Sequence, residues 1–231
     1  MQKNGYKLLS INQYRGTDLF VFALILAVAE ILTWLAAKWF PYQAVFTFSL
    51  MLPISLTVMM RWGWPSVFYP IGGGLLVCLL ASADAVNYAC YIIGNACVAL
   101  MLIPTYLIGR DKIRAKWWSS ALYVAGGWLC MYLGRSFVYA ISYAISPIGG
   151  GTAWSGFGGF AMGEMLSLVM GVIVVMVLRR LDGMFEDQKS YLKRLDAERA
   201  EMRRRDEYGD EPMDIDEDTM SILKKHDGEW D

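Results

Sequence analysis

Six long apolar segments lie between Thr17 and Arg179, and nearly every positive charge that flanks them falls on one side. A helix needs about 17–25 mostly apolar residues to cross the hydrocarbon, and the segments run over about 18–37, 43–60, 66–82, 88–109, 118–146 and 155–178. Lys3, Lys7 and Arg15 precede the first. Arg61 stands in the second connection, Arg110, Lys112, Arg114 and Lys116 in the fourth, and Arg179 and Arg180 follow the last, whereas the first, third and fifth connections carry only Lys38. Positive charge collects on the cytoplasmic side. The pattern predicts an all-α integral membrane protein of six transmembrane helices, N-in and C-in, in a cell membrane.

The acidic residues lie elsewhere. Of the 22, five precede Asp182 and 17 follow from it, so the net charge of −1 describes a tail and points to no nucleic-acid partner. The first 16 or so residues are polar and lead into a full-length span, unlike a cleavable signal. The expected division is a transmembrane domain over 1–180 and a cytoplasmic tail over 181–231.

Several chemistries are excluded. The single histidine, His226, is near the end, so no imidazole serves inside the membrane. Cys78, Cys90, Cys97 and Cys130 sit in apolar segments without a CxxC pair and read as buried small hydrophobes, so no metal site is expected. No GxxxxGK[ST] loop is present, and no catalytic residue or cofactor is expected. Asp214, Asp216 and Asp218 imitate the start of a calcium loop, but Thr219 replaces the turn glycine and Lys225 the bidentate glutamate.

Functional signal resides in polar residues inside the spans, which are costly in lipid and face a partner or a cavity. At 1.5 Å per residue, Glu30 and Asn95 lie roughly 12 Å from the outer helix ends, Glu164 roughly 14 Å and Arg135 roughly 16 Å. Four helices thus place a polar group in one layer. Tyr88, Tyr91 and Asn95 share a face of the fourth span, and Tyr132, Arg135 and Tyr139 share one of the fifth. Ala23, Ala27, Glu30 and Trp34 form a stripe on the first. Aromatic walls with a few convergent polar groups are the material of small-molecule sites. The plainer alternative is an Arg135–Glu164 ion pair that pins two helices in a packed bundle. Two carboxylates against one guanidinium leave a carboxylate that needs a proton, water or a ligand. Pro70 and Gly72, Gly73 and Gly74 mark the third span as either interrupted or closely crossed, and Pro53 and Pro104 predict kinks.

Six spans, no ATP motif and an outward polar–aromatic pocket resemble the S components of energy-coupling-factor transporters, the membrane subunits that capture vitamins and other micronutrients. The Ala23-Leu24-Ile25-Leu26-Ala27 run is similar to the AxxxA motif through which those subunits dock on a scaffold. The resemblance covers residues 1 to about 180. It implies a substrate-capture subunit, not an enzyme, that binds a small molecule from outside and topples onto a membrane scaffold served by cytoplasmic ATPases. It also implies that Arg135 grips a carboxylate or phosphate, that Trp34, Tyr88, Tyr91 and Tyr139 stack on a ring, and that Asn95, Glu30 and Glu164 complete the site. Two alternatives stay open: a non-catalytic scaffold subunit of a cell-envelope assembly, and a small proton-coupled carrier using Glu30 and Glu164.

From Leu181, the apolar residues Phe185, Leu192, Leu195 and Met202 predict that the last span continues as a helix to about 206. Residues 206–218 hold eight acids and no base, with Gly209 and Pro212, and should be disordered. A short helix is expected at about 219–226.

Overall fold

The computed structural model describes residues 11–39, 48–145, 152 and 154–208. Among them every regular element is helical. Four stretches, Ile11–Trp39, Trp64–Ala81, Ala85–Leu107 and Ser155–Leu178, are long and apolar enough to cross a membrane.

The bundle is organised around a short, fully enclosed apolar helix. After α1 (Ile11–Trp39), α2 (Met51–Trp62) is buried at every one of its 12 residues. A helix that is apolar all round belongs in a core. One face of α2, with Leu52, Leu56, Met59 and Met60, packs against Val98, Met131, Val124 and Val175. The other, with Met51, Ile54, Val58 and Trp62, packs against Phe22, Leu26 and Tyr69. The helices around it instead expose apolar residues outward, such as Leu24 and Leu32 of α1, as a lipid-facing surface requires.

Within the segment expected over 43–60, residues 48–50 are not helical, and the described helix, α2, measures about 18 Å. Pro53 does not kink it. It sits in the first turn, where a missing N–H costs nothing. Residues 40–47 lie outside the described residues.

A 3₁₀ turn, Trp64–Val67, leads into α3 (Phe68–Ala81), which runs without interruption past Pro70 and its three glycines. The fourth segment is the irregular one. Asp84 caps α4 (Ala85–Ala89) by accepting from the Asn87 N–H at 2.8 Å. A π-helical turn (Cys90–Gly94) and a 3₁₀ stretch (Cys97–Met101) follow before α5 (Leu102–Leu107). Pro104 has no N–H to offer the Leu100 carbonyl, which accounts for tightening upstream of it.

After α6 (Arg110–Ala115), α7 (Trp117–Ile145) crosses the π turn with no side chain between them. A Cβ on Gly94 would lie 2.6 Å from the Arg135 backbone, and one on Gly134 would strike the Gly94 carbonyl. α8 (Ser155–Leu178) completes the bundle.

The expected helical continuation past Leu178 is interrupted. Residues 179–187 turn back, with Gly183 at φ 73°, and Phe185 is fully buried against Tyr123. The fold favours burying this ring over extending the helix. Basic residues hold the turn: Arg110 pairs with Asp187, Arg114 with Glu186, and Arg179 donates to the Arg114 and Ala115 carbonyls. Arg61, expected as a connection charge, is buried. It donates to both Asp18 oxygens, at 2.9 and 2.7 Å, and to the Gly183 carbonyl.

α9 (Gln188–Tyr208) then begins. The chain divides into compact units after Lys189, nine residues beyond the boundary expected at 180. Within the second unit α9 carries an Arg194–Glu198 pair at 3.9 Å. The acidic stretch beyond Tyr208 and the short helix at 219–226 lie outside the described residues.

Candidate binding site

The polar layer assembles around Arg135, whose side chain is 1% exposed in the middle of α7. Nη1 donates to Glu164 of α8, and Nε donates to Asn95 Oδ1 at 2.5 Å. The Tyr91 ring lies on the guanidinium, 4.4 Å from Cζ to the centroid. Such a stack stabilises a desolvated cation. Nη2 alone has no partner and is shut away from solvent.

Asn95 ties this group to α3. Its Nδ2 donates to the Pro70 carbonyl at 2.8 Å, and Met51 Sδ lies 3.7 Å away. Gly74 permits this approach, since a Cβ there would meet the Tyr91 carbonyl. The glycines of α3 thus serve a close crossing, and Tyr91, Asn95 and Arg135 are brought together across it.

Glu30 stands in the same polar layer without touching Arg135. Its Oε1 accepts from the Ser49 hydroxyl at 2.8 Å and the Leu50 N–H at 3.2 Å, while Ser49 Oγ accepts from Met51 N–H at 3.1 Å. The Ser49 N–H reaches Ser167 Oγ of α8 at 3.0 Å. Glu30 therefore satisfies the start of α2, where unpaired N–H groups and the helix dipole favour a carboxylate. This is the partner of the carboxylate left over in the sequence.

Beside Arg135, Leu52, Trp128, Met131, Tyr132 and Glu164 line a crevice with room for about one water molecule. Four of the six lining residues lie on one face of α7, running from Arg135 toward the basic end of the bundle. The Trp128 and Tyr132 rings stack at 5.3 Å and 9°, and Trp128 Nε1 donates to the Glu164 carbonyl at 3.1 Å. The Tyr91 ring on Arg135 continues into a run of further rings. Tyr91 meets Phe160 edge-on at 6.3 Å, and Phe160 meets Tyr139 at 6.2 Å.

Other candidates stand apart. Tyr139 belongs to this column of rings. Trp34 is half-buried and holds the Lys38 ammonium 4.0 Å from its centroid. Tyr88 is half-buried and forms none of the links above. Ala23 is exposed and Ala27 half-buried, whereas the buried line of α1 runs Phe22, Leu26, Glu30. Glu30 thus points inward beside an outward Ala23.

Ser49, Ser167, Trp128 and Phe160 were not legible as site residues. Ser49 had one signal, a hydroxyl four residues ahead of a proline that suits a first helical turn. Among the described residues no group of three His, Cys, Asp or Glu side chains is placed to hold a metal. Comparison with protein-family profiles, curated proteins and solved structures returns no match.

Proposed function

We propose that this chain is the membrane-embedded substrate-capture subunit of a micronutrient uptake transporter, similar to the S components of energy-coupling-factor systems. On this reading the six apolar segments cross a bacterial cytoplasmic membrane with both termini inside. The chain carries no catalytic group and passes its cargo to a membrane scaffold with cytoplasmic ATPases. The observation that supports it most is Arg135, a fully buried guanidinium with one donor unspent beside a crevice and with the Tyr91 ring stacked on it. A cation is costly at such a depth and marks a ligand or ion path. A ligand carboxylate or phosphate meets that fork, while Tyr91 and Tyr139 supply ring faces. Ala23 and Ala27 offer the scaffold a surface where another helix can come close.

A second reading, a non-catalytic scaffold subunit of a cell-envelope assembly, draws on the small size of the crevice and on the close pairing of Glu30, Asn95 and Glu164. Purifying the native complex separates the two. Co-purifying ATPase subunits support capture. Cell-wall or division proteins support the scaffold, and a chain that purifies alone removes both in favour of a self-sufficient carrier.

A further inference from the structure

Arg135 presents two parallel N–H groups, Nη1 and Nη2, the edge that a carboxylate grips with both oxygens. Glu164 occupies only one of them, and Nη2 is left buried and unpaired. The space beside the pair holds about one water, too little for an organic anion alongside the glutamate. An anion therefore reaches the guanidinium only if Glu164 leaves it. Glu164 is placed to leave: its side chain is 11% exposed against 1% for Arg135, and it lines the crevice. Asn95 holds Nε independently and keeps the fork aimed when Nη1 is released.

We propose that Glu164 is a resident stand-in for the ligand's anionic group, and that binding is an exchange of one anion for the other on Arg135, with Glu164 taking up a proton as it lets go. This rests on the capture reading above. The charges balance: the bound pair, a ligand carboxylate and one proton from solvent give a ligand–Arg135 pair and a neutral Glu164. A second ionised carboxylate released into this layer would have no counter-charge. The titratable groups near Glu164 are Arg135 and Tyr132 from α7, Tyr91 from the π turn and Glu30 from α1. Glu30 is held by Ser49 and Leu50, so it is not the group that moves. The carboxylate or phosphate moiety of the ligand is the shared chemistry, and benzoate and inorganic phosphate separate the two.

The test titrates benzoate and phosphate into the full-length detergent-solubilised protein by calorimetry. In the native chain, benzoate affinity should strengthen toward about tenfold per unit as pH falls from about 8 to about 6, the limit for one proton bound with the ligand. The weakly buffered solution should lose one proton per benzoate bound. Glu164→Gln should bind benzoate more tightly at the upper pH and show no pH dependence; phosphate, which itself titrates in this range, is compared with benzoate at a single pH, and whichever anion binds names the class. Binding that needs Arg135 but takes up no proton, with Glu164→Gln no tighter, overturns the exchange and leaves capture standing. Absence of binding in both proteins overturns exchange and the anionic grip together. Proton uptake is read on the native chain, so a Gln variant that fails to fold does not decide the matter.

Discussion

Glu30 accepts a 2.8 Å hydrogen bond from Ser49, a residue 19 positions on, and so closes the start of a helix to which it does not belong. The pair is buried, and Oε1 also receives the Leu50 N–H. Glu30→Leu should therefore cost roughly 1–3 kcal/mol for each group left unpaired. Glu30→Gln, which keeps an acceptor, should cost less. Thermal unfolding in detergent measures both, and equal stability of the two variants would remove the capping role.

Gly94→Ala and Gly134→Ala should each destabilise the bundle by about 1–3 kcal/mol or more, because the added methyl meets backbone or the Cys97 sulfur at the α7 crossing. Gly158→Ala and Gly159→Ala serve as controls, since nothing lies within 4 Å of a Cβ at either. Melting temperatures that fall equally in all four would refute the crossing as the cause.

The last span does not end the folded unit. A chain stopped after Lys189 keeps Phe185, the Arg110–Asp187 pair and the Gln188 contact with Gly183. It should melt within a few degrees of the full-length protein. Stopping after Arg180 opens the core at Tyr123 and strands Arg110 and Arg114, and the protein should aggregate or unfold at markedly lower temperature.

For anion binding, Arg135→Ala should abolish the calorimetric signal of benzoate or phosphate, and Arg135→Lys should recover only part of it. Lysine keeps the charge but lacks the planar fork that reaches Asn95 and an anion together. Equal binding by all three proteins would assign Arg135 to packing alone.

Replacing Ala23 and Ala27 together with Leu should leave the isolated protein folded, because Ala23 faces outward and Ala27 is only half-buried. On the capture reading, the same change should prevent co-purification with ATPase subunits. A misfolded protein that keeps its partners would make the pair internal packing.

What could be read in advance followed depth and period. Arg135 and Glu164 stand at matched depths on adjacent apolar segments, and apolar length alone located α1, α3 and α8. Geometry that depends on a third element was hidden. Ser49 lies inside an apolar run, so neither its cap nor the late start of α2 at Met51 shows in hydropathy. The π turn at Cys90–Gly94 has no marker, because Gly94 matters only once Gly134 is opposite it. Phe185 fits a helical stripe on paper, and only the Tyr123 pocket shows that the chain turns back to bury it. Tyr88 and Tyr91 are one turn apart by counting, yet only Tyr91 covers Arg135.

The enclosure of α2 bears on how this protein is made. In the finished fold that helix touches no lipid, and its supporting surfaces on α7 and α8 leave the ribosome after it does. At 12 residues, with a charged arginine near one end and serine chemistry at the other, it is a poor resident of bare hydrocarbon. It is thus synthesised early and sheltered late, so biogenesis passes through a stage in which the second segment waits for its walls. Substitutions that slow closure of α7 and α8 should reduce yield in the membrane even where the completed protein is stable.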